Sequence, residues 1–292
     1  SVAVAHEGIY LGFIIGPTGH CRQWKKAIAK YIERATHWAS LNLGLHLTIF
    51  AYNIFAISVL SYLWQLCTPP PELLKSQAAL LRKLVPGPGS WTHQEDLFVL
   101  QSELGFPSQF KSIEDKALAA KLRLIVKEKI IPGARWVEIH RSLVHFGRYS
   151  DWLPWYRHSF YRELDEALTD ANKLRIDPAD IYAKLLILYK DRSQPKADAD
   201  GDLEGAIYKH ILRAKYAISH RHRLAKRLLR WHIDCPIGIV CERACKLIRA
   251  LRPLVPPMIT AAVIRTCRNG WFTGRRMRFL HSSELPHPCR LG

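Results

Sequence analysis

The sequence predicts a mainly α-helical protein: a short N-terminal β-hairpin, then a helical bundle, then a basic helical C-terminal region. Three observations carry that expectation. Apolar residues recur every three to four positions through most of the 292 residues, which is the period of a helix with one buried side. Proline and glycine clusters interrupt those stretches at short intervals. Lysine and arginine crowd the last third, where 18 of them from Ile207 onward face only Asp234, Glu242 and Glu284.

Composition narrows the class. Apolar residues make up 48% and charged ones 23%, so the chain can bury a core and is not a disordered tail. The 43 Lys and Arg against 25 Asp and Glu give a net charge of +18, nearly all of it from the C-terminal third. Such asymmetry points to a polyanion or an acidic membrane surface. Seven cysteines, an odd number spread over a long chain, fit a reducing compartment better than a disulfide scaffold. No basic start followed by an apolar run opens the chain, and the missing initiator Met suggests a piece of a longer product. An intracellular, nuclear location is expected.

The expected organisation is a hairpin over residues 1–20, a helical domain over 21–130, a connector over 131–191, a linker over 192–205 and a basic helical region over 206–292. Gly8 to Gly19 is β-branched and aromatic between Gly and Pro, as a strand pair closing in a turn would be. Trp24, Ile28, Tyr31, Ile32, Ala35 and Trp38 then mark one side of a helix whose other side carries Arg22, Lys25, Lys26, Lys30, Glu33 and Arg34. Leu45 to Leu66 is apolar nearly all round, which predicts a core helix in which Tyr52, Asn53 and Gln65 find internal partners. A bilayer span needs about 20 predominantly apolar residues, and this run reaches that length only by including several polar ones.

Thr68-Pro69-Pro70-Pro71 ends that run, and Glu72 to Leu84 restarts a helix. Pro86-Gly87-Pro88-Gly89 breaks it, and Thr92 with Glu95 fits a capping box for the next. Helices are expected over Ile113 to Lys129 and, with Asp177 as N-cap and Pro178 first, up to Lys190. Glu114-Asp115 and Asp165-Glu166 are expected to face solvent. Trp136, Trp152, Trp155, Tyr156 and Tyr161 fall in an irregular stretch, and Arg192 to Asp202 reads as linker. A basic helix over Ala206 to His232, a second over Ile239 to Leu251, and an Arg-rich end with Trp271 and Phe272 complete the chain.

Few residues form a recognisable chemical site. His232, Cys235, Cys241 and Cys245 suit zinc by type but not by the spacing of a common zinc module. Asp198, Asp200 and Asp202 begin like a calcium loop, yet Leu203 and Lys209 stand where Gly and Glu are needed. Neither glycine-proline stretch has the Gly-Lys-Ser/Thr ending of a phosphate loop. The favoured chemistry is therefore grip on phosphodiesters: Arg221, Arg223, Lys226, Arg227 and Arg230 on one helix, and Arg275, Arg276 and Arg278 beside Trp271, join cations to flat stacking surfaces.

Several stretches resemble, in order, the region after the catalytic palm of non-LTR (LINE-like) retrotransposon reverse transcriptases. They are Tyr10-Leu11-Gly12-Phe13 with Gly16-Pro17, Trp24-Lys25-Lys26-Ala27-Ile28 with Arg34, and Tyr52-Asn53 with Val59-Leu60-Ser61-Tyr62 and Gln65-Leu66. Pro69-Pro70, Pro86-Gly87-Pro88-Gly89-Ser90-Trp91 and Glu95-Asp96-Leu97 follow. Arg268-Asn269-Gly270-Trp271-Phe272-Thr273-Gly274-Arg275-Arg276 with Pro288-Cys289 looks like the approach to the C-terminal Cys/His knuckle of such elements.

The resemblance implies a primer-grip-like hairpin over 1–20, a thumb-like helical bundle over 21–130 and a connector beyond it. Leu11 and Gly12 would place the primer end, Lys25, Lys26, Lys30 and Arg34 would meet backbone phosphates, and the basic C-terminal region would hold RNA or DNA. The aromatic-Ala-Asp-Asp hairpin that binds Mg²⁺ in the intact polymerase is absent, so no catalytic residue is expected here and the upstream fingers and palm would be partners. Cys289 would be the first ligand of a knuckle whose other ligands are missing, so no metal is expected. The competing expectation is a membrane-associated basic protein with residues 45–66 in the bilayer; the favoured reading has no membrane partner.

Overall fold

The computed structural model describes residues 8–10, 13–15, 19–88, 91–127, 160–190, 199–231 and 236–271, and it is mainly helical. Helix α1, Gly19–Ser40, follows the predicted two-sided pattern. Trp24, Tyr31 and Ala35 are buried on one side, whereas Arg22, Lys25, Lys26, Lys30 and Glu33 are exposed on the other. The expected N-terminal hairpin is not seen as a built element. Only the three-residue segments β1, Gly8–Tyr10, and β2, Phe13–Ile15, are described, paired antiparallel with Gly8 opposite Ile15, and the tip at Leu11 and Gly12 lies outside the described residues.

The apolar run expected as one core helix is helical from Gly44 to Trp64 but irregular inside. Helix α2, Gly44–Ala51, passes into a π-helical turn, Tyr52–Ala56, then a 3₁₀ turn, Ile57–Leu60, then α3, Ser61–Trp64. Such changes of pitch occur where side chains compete for backbone groups. Here the Ser58 hydroxyl donates to the Ile54 carbonyl at 2.5 Å and the Ser61 hydroxyl to that of Ser58 at 2.8 Å. Burial is also one-sided, which corrects the expectation of an interior helix: Leu47, Phe50, Ile54, Phe55 and Tyr62 are exposed. The polar members do find partners. Asn53 Oδ1 accepts from the Lys111 N–H at 3.1 Å, Gln65 Oε1 accepts from Arg123 Nη2 at 3.1 Å, and the Tyr52 ring meets Phe110 edge-on at 5.2 Å.

Helix α4 is Pro71–Leu84, and the chain continues through α5, Gln94–Leu97, and α6, Leu100–Leu104. The capping box of α5 sits one residue later than expected: His93 is the N-cap, and its backbone N–H donates to Asp96 Oδ2 at 3.4 Å. Thr92 is thereby released for another partner, described below. Gly105 closes α6 at φ 66°, a left-handed conformation that favours glycine, and a Cβ there would meet the Arg249 side chain at 2.9 Å. The remaining elements are α7, Ile113–Lys127; α8, Phe160–Lys173; α9, Pro178–Lys190; α10, Ala199–Leu228, followed by a 3₁₀ turn, Leu229–Trp231; α11, Ile237–Leu251; and α12, Pro257–Cys267. Asp177 caps α9 as predicted, accepting from the Ala179 N–H at 2.9 Å. Helix α10 starts at Ala199, inside the stretch expected to be linker.

The chain forms two units, each drawn from three separate stretches. The first comprises Ser1–Ala35, Asn53–Gln77 and Lys111–Lys215, and the second Thr36–Tyr52, Ala78–Phe110 and Tyr216–Gly292. In the first, α7 packs against α3, α8 and α9. Its Ala117, Ala119 and Ala120 are buried and short, which lets neighbours approach on several sides, while Ile113, Leu118, Leu122 and Ile125 are its larger buried apolar residues. Each such Leu or Ile contributes about 1.5–3 kcal/mol relative to exposure.

The same helix buries charge in pairs. Lys121 meets Glu163 and donates to the Thr68 hydroxyl at 2.7 Å, and Asp115, expected at the surface, is buried with Lys215 Nζ 2.7 Å away. Burial favours a neutral Glu163, but Lys121 and the Thr68 hydroxyl together hold its carboxyl below the usual range. Beside them, burial and then Glu163 push the Cys67 thiol up to about 11.

Candidate nucleic-acid interface

In the second unit α12 packs against α2, and α11 packs against α6 and α12. The charged part of this unit is built around Asp96, only 4% exposed at the end of the short helix α5. A buried carboxylate needs compensation. Asp96 Oδ2 accepts from Arg268 Nη1 at 2.7 Å, and Oδ1 accepts from Arg223 Nε at 2.9 Å and Nη2 at 2.8 Å. His220 Nδ1 lies 3.2 Å from Asp96 Oδ1 and 3.1 Å from Arg268 Nη2. Arg268, 3% exposed, also donates to the Thr92 hydroxyl at 2.7 Å. Burial alone would raise the Asp96 carboxyl; the His220 hydrogen bond and the Arg268 and Arg223 guanidinium groups outweigh it and hold the carboxyl well below its usual range.

This arrangement sorts the predicted cations. Arg221 is held on Glu103 at 2.8 Å, and Arg223 on Asp96 and on Glu95 at 3.0 Å. Arg227 donates to the Arg268 carbonyl at 3.3 Å. Lys226 and Arg230 are exposed at the end of α10 and the 3₁₀ turn after it. Together Arg223, Lys226, Arg227, Arg230 and Arg268 line a cleft of about 320 Å³ with Trp91 and His93, five cations against the single carboxylate of Asp96. Four of the five residues predicted on this helix thus come together, and Arg221 is spent on an internal ion pair. The cleft residues missed were Trp91, His93 and Arg268; Trp91 and Arg268 stand in the stretches that carry the family resemblance, but nothing local marked them as lining one site.

Trp91 and Trp271 form a second, apolar feature. The Trp91 indole is enclosed by two glycines: a Cβ at Gly87 would come within 2.2 Å of it, and one at Gly270 within 2.5 Å. Arg265 stands over both rings, 5.3 Å from the Trp91 centroid and 5.2 Å from that of Trp271, and donates to the Gly270 carbonyl at 2.9 Å and to the Pro86 carbonyl. The Pro-Gly run before Trp91 and the Asn-Gly run before Trp271 are therefore two walls of one structure.

The remaining predicted residues lie elsewhere. Lys25, Lys26 and Lys30 are exposed on α1 in the first unit, where Arg34 donates to the Phe55 carbonyl at 2.9 Å. Leu11, Gly12, Arg275, Arg276, Arg278 and Cys289 lie outside the described residues, as do His232 and Cys235 of the zinc-like set. Cys241 and Cys245 are buried on α11, where the Cys241 thiol donates to the Arg221 carbonyl at 3.3 Å. Among the described residues no cluster of three or more His, Cys, Asp or Glu is arranged to hold a metal. No protein family, curated protein or solved structure matches the chain.

Proposed function

We propose that this chain grips single-stranded nucleic acid through phosphate contacts, as the thumb-and-connector part of a non-LTR retroelement reverse transcriptase whose catalytic carboxylates lie on a preceding fingers and palm region. In that setting Mg²⁺ belongs to the intact polymerase in the nucleus, and this chain alone does not polymerise. The observation that carries the reading is the cleft in which Arg223, Lys226, Arg227, Arg230 and Arg268 converge around one carboxylate. Cations that face solvent without acid partners attract phosphates and release their counterions, a sequence-independent grip. Lys226 and Arg230 have that character; the buried Arg268 and Asp96 hold the cleft in shape.

The test is a titration of single-stranded RNA and DNA into the chain at 50 and 200 mM salt. Affinity should fall steeply with salt, and Lys226→Ala/Arg230→Ala should reduce the log–log slope by about 1.4, since each phosphate contact on a single strand contributes roughly 0.7. Affinity indifferent to salt refutes the proposal.

A second reading keeps the membrane alternative. Gly44–Trp64 spans 21 residues; its most apolar 18-residue window has a mean hydropathy of 1.6 and is half buried. Leu47, Phe50, Ile54, Phe55 and Tyr62 are the exposed part that would enter lipid. Flotation with acidic liposomes, undiminished by competing RNA, would favour it.

A further inference from the structure

The apolar cleft beside the basic one has a shape and chemistry that phosphate grip does not use. It encloses about 600 Å³ in the second unit, within the range of pockets that bury an organic ligand, and its walls include Leu45, Val85, Pro257, Met258, Trp91 and Trp271. Trp91 lines both this cleft and the basic one. Trp271 is 43% exposed, yet its indole is held at two points: Nε1 donates to the Thr266 hydroxyl at 2.9 Å, and the Arg265 guanidinium covers the ring. A flat aromatic surface fixed before binding loses little conformational entropy when another ring stacks on it.

We infer that this cleft takes an unpaired nucleobase of a strand whose phosphates lie in the basic cleft next to Trp91. The inference rests on the proposed grip and deepens it. Charge complementarity selects the occupant, because an apolar ligand of any other kind gains nothing from the solvent-facing Lys226 and Arg230 of the neighbouring cleft that Trp91 also lines. Single strands are favoured over duplex because a paired base keeps its faces stacked on its neighbours and cannot enter. Arg265, spread over both indoles, maintains the distance between the two tryptophans.

The experiment compares three probes on the full chain: a single-stranded oligoadenylate, the same strand with abasic sites at equal length and charge, and a duplex with the same total number of phosphates. Stacking of one base is expected to make the intact strand bind on the order of 10-fold more tightly than the abasic one, with quenching of tryptophan fluorescence. Trp271→Ala should abolish that difference while leaving the salt slope unchanged. Met258→Glu, at a position 74% exposed, should do the same by placing a carboxylate on the cleft wall. Lys226→Ala/Arg230→Ala should lower the salt slope and keep the preference for bases. Equal affinity for intact and abasic strands, with the salt slope intact, overturns the base pocket alone. No salt-dependent binding to any strand overturns the grip as well, and so does equal binding of an acidic peptide.

Discussion

Replacing Asp96 by alanine is the most informative single change. The carboxylate is buried and accepts from Arg268 and Arg223 at 2.7–2.9 Å, with His220 at 3.2 Å. Arg268 is itself buried, so the substitution leaves a guanidinium without its counter-ion inside the second unit. Breaking one half of a buried pair costs about 3–5 kcal/mol, a large part of the ~5–15 kcal/mol by which a domain is folded. Asp96→Leu combined with Arg268→Met removes both charges and should recover most of that loss. Urea unfolding followed by far-ultraviolet circular dichroism measures both. A loss below about 1 kcal/mol for Asp96→Ala, typical of exposed ion pairs, would refute the buried-network account.

Acid should act on the same group. A carboxyl held low in the folded state adds stability that is present above the unfolded value near ~3.9 and is lost as pH falls toward the folded value. The urea midpoint should therefore fall below about pH 4, and Asp96→Asn should flatten that dependence. Gly105→Ala should cost roughly 1–2 kcal/mol, measured by thermal unfolding, because it forces a left-handed residue against Arg249. Cys67, with its thiol pushed up to about 11, should react with iodoacetamide at pH 8 on the order of 100-fold more slowly than a free cysteine, by mass-spectrometric labelling.

Periodicity made the helices legible and left their assembly hidden. Trp24, Tyr31 and Ala35 announced the buried side of α1, and Asp177-Pro178 announced the start of α9, because both signals are local. The pitch change at Tyr52–Leu60 was not legible, since it depends on hydroxyls that bond backward into the helix. Asp115 looked like a solvent-facing acid because Lys215, its partner, stands 100 residues away. The basic cleft was half legible: the charge on α10 was plain, but Asp96 and Glu103, which take Arg223 and Arg221 out of service, sit on α5 and α6 far upstream. Trp91 offered no local hint either, because only the approach of Gly270 shows what its flanking glycines are for.

Asp96 and Arg268 stand 172 positions apart. At about 5–20 residues per second, a ribosome releases the arginine roughly 10–30 s after the acid. Until then the aspartate must stay hydrated, and the pocket that later encloses it cannot close. The second unit is therefore closed by the turn after α12, as an arch is by its keystone, and a nascent chain stalled before Ile264 would leave that unit open and accessible to protease.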